Sequence, residues 1–310
     1  LNQPINEQFG IRLVGEAQRN NSETDRVTSK TLFVAPSLSW KPNANSQLTA
    51  RLRQTDNTYL DFYGLPAEGT VLPGMGNIVP VGSTIPRNRN FTATDVPDSK
   101  IKLGGLNVQW NQLLSDSLSW GVTLAETHTL IDSRNLYPWN FFGFNEVYPS
   151  RMWDDVKSTT LSPSITAKFN TAMTKHTVVA GLDFDRTKDD GFIIADLASF
   201  TIPDYINPAY PAWVEPASTG PTQTNTYRTD ALYVQDQVSL GKLGVLAGLR
   251  YARVGVDDIN TDFFFAHNTK TTNSKTTPRV GATYEISPNI SAFAGYGEGF
   301  KVPVGSVYAA

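Results

Sequence analysis

Residues 158–170 read STTLSPSITAKFN. Thr159, Leu161, Pro163, Ile165, Ala167 and Phe169 fall on one side of an extended chain, and Ser158, Thr160, Ser162, Ser164, Thr166 and Lys168 on the other. That period of two is the mark of a strand with one apolar and one polar face. Working outward, Val178, Ala180, Leu182 and Phe184 alternate with Thr177, Val179, Gly181, Asp183 and Asp185 in the same way. Val280, Ala282 and Tyr284 alternate with Arg279, Gly281, Thr283 and Glu285. Comparable segments lie near residues 8–19, 29–40, 47–56, 100–110, 118–131, 225–239, 244–253 and 290–300. About eleven strands of roughly ten residues result, the length a tilted strand needs to cross a bilayer.

Alternation alone does not separate a soluble sandwich from a membrane barrel, because each has one apolar face. The connections discriminate. Short turns fall near 41–46, 111–117, 171–175, 241–243 and 287–289, and long connections near 20–28, 57–98, 132–157, 187–224 and 254–275. Short and long alternate along the chain, as in an antiparallel up-and-down barrel with short periplasmic turns and long external loops. Trp40, Trp110, Trp120, Phe169 and Tyr284 sit at strand ends beside short turns, and Phe184 and Tyr251 at the opposite ends. Rings at two heights are what an aromatic girdle needs at the two membrane interfaces.

The other face carries Arg12, Glu16, Arg51, Arg53, Lys168, Asp183, Asp185, Arg250, Arg279 and Glu285. Mixed charge suits a wet or plugged lumen, whereas a dry core would penalise each unpaired charge by several kcal/mol, by order of magnitude. Pro36, Pro163 and Pro278 fall inside expected strands, where proline removes a ladder hydrogen bond. Bulges are one account of them.

Composition sets the remaining bounds. The 310 residues are 40% hydrophobic and 18% charged, which argues against disorder. Mean hydropathy is −0.28, and there is no run of eighteen apolar residues to form a membrane helix. With no cysteine, disulfides and thiolate chemistry are excluded. A net charge of −3 leaves no basic footprint for nucleic acid. His128, His176 and His267 are scattered, and no nucleophile elbow, phosphate loop or triad signature appears, so an enzyme is not expected. The acidic pairs Asp154–Asp155, Asp189–Asp190 and Asp257–Asp258 suit calcium in charge but lack an EF-hand spacing; solvated loop charge is the expected role. The odd strand number, against the even number of complete single-chain barrels, leads us to expect part of a larger barrel.

Several segments resemble TonB-dependent siderophore receptors, and their ferrichrome-type branch in particular. They are RLVGEAQRNNS (12–22), KTLFVAPSLSWKPNANSQLTA (30–50), GLPAEGTVLP (64–73), IPRNRNF (85–91), KHTVVAGLDF (175–184), ALYVQDQ (231–237), AGLRY (247–251) and the run TPRVGATYEISPNISAFAGYGEGFKVP (277–303). The resemblance implies a Gram-negative outer-membrane barrel of about twenty-two strands closed around a plug. Residues 1–310 are then its N-terminal half, without the plug domain or the C-terminal strands. It further implies a ferric-siderophore ligand, TonB as the energy-coupling partner through the missing plug, and outer-membrane lipid as surroundings. No cofactor is implied, iron arriving only within its ligand. Another TonB-class ligand (a corrinoid, heme or a glycan) and a passive porin stay open as alternatives.

In that family, external-loop aromatics line the ligand pocket. One group precedes the Leu-Pro-x-Glu-Gly run, here Phe62 and Tyr63, although the family's frequent Trp is replaced by Leu65. A second lies in the loop after the fifth strand, here Tyr137, Trp139, Phe141 and Phe142, with Phe144 beyond. An exposed patch this aromatic is typical of a binding site; packing of the loops against one another is the other role open to these rings. The segment 200–216, with Tyr205, Tyr210 and Trp213, is a further wall for which self-packing is expected.

Overall fold

Residues 158–170 lie within a strand far longer than their own alternation, Phe144–Thr171. A computed structural model describes residues 1–141, 144–199, 201–209, 212–217, 220–261 and 266–302. Among these, twelve strands form one antiparallel sheet in chain order: β1 (Asn2–Pro4), β2 (Phe9–Asn21), β3 (Thr28–Asn43), β4 (Ser46–Tyr59), β5 (Ser99–Ser115), β6 (Leu118–Phe141), β7 (Phe144–Thr171), β8 (Thr174–Ala195), β9 (Gln223–Leu240), β10 (Leu243–Asn260), β11 (His267–Ser287) and β12 (Ile290–Gly297). The strand beyond the expected eleven is β1, three residues that pair with Gly10–Arg12 and are too short to show a period. The sheet is open, with β1 and β12 as its edges.

All five short connections leave two residues between strands: 44–45, 116–117, 172–173, 241–242 and 288–289. Two-residue hairpin turns favour positive φ, which matches the twist of the flanking strands, and Ala172 (φ 51) and Gly241 (φ 54) adopt it.

The long end departs from expectation in kind. Residues 132–157 are not a loop; β6 and β7 run on as a paired ribbon from Leu118↔Ala167 to Phe141↔Phe144. β8, β10 and β11 likewise overrun the apolar alternation, reducing two expected long loops to 196–222 and 261–266. Only 60–98 keeps its expected length without a strand of its own.

Register confirms the two faces. Cross-strand partners share a face, and the pairs Leu13↔Pro36, Leu38↔Ala50, Leu48↔Trp110, Val122↔Pro163, Leu182↔Leu232 and Val234↔Leu249 make one largely apolar surface, interrupted at Asp236, which pairs with His176 at 2.7 Å. Arg12↔Ser37, Ser37↔Arg51, Thr160↔Asp185 and Arg250↔Thr277 lie on the other. Leu13, Leu32, Leu52, Ile165, Leu182, Val234, Leu249 and Val280 are all exposed. A sheet whose larger apolar face meets no protein is dressed for lipid. At the short-turn end Phe9 stacks on Trp40 at 5.9 Å and Trp40 meets Trp110 edge-on at 6.2 Å, forming part of the lower girdle.

The in-strand prolines do not form bulges. Pairing of β3 with β4 lapses at Ala35 and Pro36 but resumes in the same register, from Val34↔Gln54 to Ser37↔Arg51. At Pro163 the lapse runs from Leu161↔Phe184 to Ser164↔Gly181, again without a slip. Pro278 keeps its partner Leu249 and sits just beyond the first β11–β12 pair, Arg279↔Gly297. A lost N–H thus costs a local rung, not an inserted residue.

Candidate functional site: the cap at the long-loop end

The buried hydrophobic cluster lies outside the sheet's apolar band. Val79, Ile85, Phe91, Ala93 and Val96 from segment 60–98 bury against Leu136 of β6, Val147 of β7 and Tyr205. Segment 60–98 is therefore a small packed unit, a cap over the long-loop end. Its fold begins with the motif around Glu68. That side chain is only 5% exposed, and its Oε1 accepts backbone N–H bonds from Met75 (2.8 Å), Asn77 (3.1 Å), Ile78 (3.2 Å) and Val79 (3.4 Å). Burial opposes the charge, but the four donors prevail and hold its pKa down to about 2. Gly69 follows at φ 84, and a Cβ there would lie 2.8 Å from Ile85 Cγ1. The Glu-Gly pair is thus required by the turn's geometry.

The IPRNRNF motif clamps this unit from two sides. Asn90 Nδ2 donates to the Asp25 carbonyl (2.7 Å), Asn88 Nδ2 to the Asp25 carboxylate (3.0 Å), and Asp25 N to the Asn88 carbonyl (2.8 Å). Arg26, in the β2–β3 turn, donates to the carbonyls of Thr92 and Ala93. On the far side Arg89 donates to the carbonyls of Tyr205 (3.0 Å) and Ile206 (2.9 Å). Nothing in the sequence period marked Glu68, Asn88, Arg89 or Asn90 as structural; their signal was the motif alone.

A second tie joins the β6–β7 ribbon to residues 212–217. Asp132 accepts from Arg151 Nε (2.9 Å) and pairs with Arg134 Nη1 (2.9 Å). Glu215 accepts from Arg134 Nε (3.0 Å) and from Trp213 Nε1 (3.0 Å), and Trp213 N donates to Asp95 (3.0 Å).

The aromatic residues expected to form a site separate into groups. Phe62 packs inward, its ring 5.3 Å from Phe91, which in turn meets Tyr205 edge-on at 5.1 Å. Tyr63, the next residue, points out and is 51% exposed. Its ring meets Tyr137 at 5.2 Å, and Tyr137 lies 6.1 Å from Tyr148, which the sequence reading did not single out. Asn135 Nδ2 donates to Asp61 (3.2 Å) and reaches the Tyr63 hydroxyl (3.4 Å), while Ser133 donates to Asp61 (2.7 Å), fixing the base of this group. Burial and then the Asp61 charge raise the Tyr63 pKa, and burial followed by Tyr137 and Glu146 raises that of Tyr148. Both phenols stay protonated at neutral pH; of the two, Tyr63 is exposed and Tyr148 is buried. Trp139 and Phe141 fall on the distal ribbon, with side chains outside the described residues; Phe142 and Tyr210 lie wholly outside them. Trp213 packs on the cluster.

The acidic pairs are split by the pleat. Neighbours on a strand point to opposite faces, so Asp155 pairs with His128 (2.7 Å) and Lys157 (3.2 Å) while Asp154 faces Asp189 across the sheet. Among the described residues no cluster of three or more His, Cys, Asp or Glu side chains could hold a metal ion.

A wall of up-and-down strands with an apolar belt and an aromatic girdle at the short-turn end defines part of an outer-membrane β-barrel. Residues 39–310 match the family described as TonB dependent receptor-like, beta-barrel, and the chain belongs to that family. It is 25% identical to the metal-pseudopaline receptor of Pseudomonas aeruginosa over 97% of this chain and 43% of that protein. It is 24% identical to the ferrichrome outer membrane transporter/phage receptor of Escherichia coli over 94% of this chain and 42% of that one. The ferrioxamine B receptor of Salmonella typhimurium is 25% identical over 82% of this chain and 36% of its own. The chain thus spans less than half the length of the curated relatives it matches. Among solved structures, the siderophore receptor PiuA from Acinetobacter baumannii superposes with a TM-score of 0.78 at 15% identity, over 96% of this chain and 46% of its own, which shows the fold. The family places the chain in the Gram-negative outer membrane.

Proposed function

We propose that the protein takes up ferric-siderophore complexes across the outer membrane, energised through TonB, without chemistry on the ligand. The observation that carries this is the exposed Tyr63, edge-on to the half-buried Tyr137, on a cap otherwise closed by its own core. Neutral phenols and aromatic faces suit a bulky chelate rich in oxygen. Phe62 anchors Tyr63 from within and Tyr137 meets it edge-on; Trp139, Phe141 and Phe142 are proposed as further ligand-binding aromatics. A plug domain and further strands, completing the barrel around residues 1–310, belong to the same proposal. The names of the ferrichrome and ferrioxamine relatives support it.

The test is growth of a strain deleted for the full-length gene on iron-chelated medium supplied with purified siderophores. Loss of at least one ferric-siderophore's uptake is expected. Uptake of every one left intact would falsify the reading. Tyr63→Ala and Tyr137→Ala in the full-length receptor should each weaken ligand binding about tenfold, as for a buried aromatic anchor. A second reading, a metal chelate of another kind, is favoured by the similarity to the metal-pseudopaline receptor. Parallel uptake assays with ferric siderophores and with chelates of other metals separate the two.

A further inference from the structure

The pleat that splits the acidic pairs also sorts them by partner. On β8 and β10, Asp190 and Asp257 turn to the outer face and pair with Lys188 at 2.6 Å and Lys270 at 3.1 Å. Asp189 and Asp258 turn inward, where Asn225 of β9 stands directly opposite both. Asp154, the next inward residue up on β7, hydrogen-bonds to Asp189. Among the described residues no Lys or Arg shares this inward patch; its basic group is His267, with Nε2 3.1 Å from Asp258 Oδ1. The patch is buried as well, Asn225 being 3% exposed and Asp258 7%. The Oδ1 atoms of both residues lack a hydrogen-bond donor. Tyr227, the next inward residue down on β9, stands beside the two flanking carboxylates. Burial first, then the charges of Asp189 and Asp258, push its phenol up to about 12.

We propose that Asp189, Asn225 and Asp258 hold a calcium ion at the root of the external connections. The donors are all oxygen, two carboxylates and an amide carbonyl, which is the set a hard cation takes. Directly opposite residues on neighbouring strands have Cβ atoms about 4.5–5.5 Å apart, so a cation above Asn225 lies within reach of the aspartates on either side. Two carboxylates balance its charge, and the orphaned Asn225 oxygen gains a partner. Calcium accepts such an irregular shell and completes it with water, whereas magnesium demands a near-ideal octahedron that one face of a sheet does not supply. With two carboxylates and neutral oxygens, the site belongs with the weak extracellular class, Kd about 10⁻⁴–10⁻³ M. Just above it, Thr222 N donates to the Gly191 carbonyl (3.0 Å) and Thr261 N to the Thr222 carbonyl (2.7 Å). The ion thus sits where residues 196–222 and 261–266 leave the sheet, and the first of these carries Tyr205 and Trp213 to the cap. The proposal is independent of which ligand is transported.

Terbium luminescence of the full-length receptor tests it, in neutral detergent after bound metal is removed with EDTA. Tb³⁺ occupies calcium sites and emits when excited through a tyrosine beside it. Sensitised emission is expected, displaced by millimolar calcium and far less by equal magnesium. Tyr227→Phe should remove most of that emission while equilibrium dialysis still shows calcium bound. Asp258→Asn should weaken calcium binding about tenfold to a hundredfold, the range for groups that support a metal site. Asp257→Asn, its neighbour on the opposite face, should leave binding unchanged, which separates the site from general surface charge and from calcium carried by co-purified lipid. Heat-modifiable migration reports folding in each case; if Asp258→Asn fails to fold, Asp189→Asn reads the same quantity. Equal calcium binding by wild type and the folded Asn variant overturns the proposal, as does displacement of Tb³⁺ by magnesium as readily as by calcium.

Discussion

Glu68 shows how a residue in a recognition-like motif can serve architecture first. Its single oxygen gathers four backbone donors and organises the turn 74–79, on which the cap's core is built. Its pKa, about 2 when folded, lies below the ordinary 4.5. A carboxyl depressed on folding contributes stability that is fully present above the unfolded value and is lost as pH falls through the folded one. The window therefore runs from about pH 4.5 down to about 2. Glu68→Gln should speed amide exchange at Met75 and Asn77–Val79 at neutral pH, with strand amides unchanged. Wild type should lose its advantage over the variant across that window. If the two exchange alike at pH 7, the carboxylate is not what holds the turn. Beside it, Phe62 and Tyr63 show why adjacent rings need separate readings: one packs on Phe91, the other is half exposed.

Among the elements, the strands fall into a lower part in the bilayer and an upper part beyond it. The lower part was legible because the bilayer imposes a period of two, and the charged residues assigned inward from Arg12 to Glu285 share one face in the register. The upper part was not. Beyond the belt both faces of β6 and β7 meet water or the cap, so residues 132–157 carry no apolar alternation although they pair rung for rung. The cap was illegible for a related reason: its core comes from an irregular segment with no period, closed by side-chain-to-backbone bonds that local pattern cannot reveal. The lapsed rungs at Pro36 and Pro163 belong with these, since a missing N–H and an inserted residue look alike in sequence. The belt itself is open to test at Leu249, which is 53% exposed and lies on the apolar face. In a water-facing sheet Leu249→Lys would be neutral. In a bilayer it should cost about 1–2 kcal/mol, one outward-facing position below the interface at Tyr251, read as reduced folding into lipid vesicles on a urea titration. A neutral result there would return the sheet to the soluble class.

For the whole molecule, the question is whether the cap moves as loops or as a unit. Segment 60–98 is bonded to the β2–β3 turn through Asp25 and Arg26, to residues 205–206 through Arg89, and to Trp213 through Asp95. Its core further includes residues of β6 and β7. Opening 60–98 alone would break all of these together and expose Phe91 and Val79, whereas moving the cap with its neighbours would break none. A charge-assisted bond is worth about 1.5–3 kcal/mol and burial of a large apolar side chain about the same again, so the concerted motion is favoured. The chain has no cysteine, which makes a single engineered pair unambiguous. Asp25 and Asn88 are joined by a backbone bond of 2.8 Å and by their side chains, so Asp25→Cys with Asn88→Cys places two thiols across that tie. Oxidation should fasten 60–98 to the β2–β3 turn yet leave ferric-siderophore uptake by the full-length receptor at the reduced rate. If uptake falls on oxidation and returns with reductant, the segment opens by itself, and the cap is a hinged lid instead of a fixed rim that presents Tyr63 and Tyr137 to the ligand.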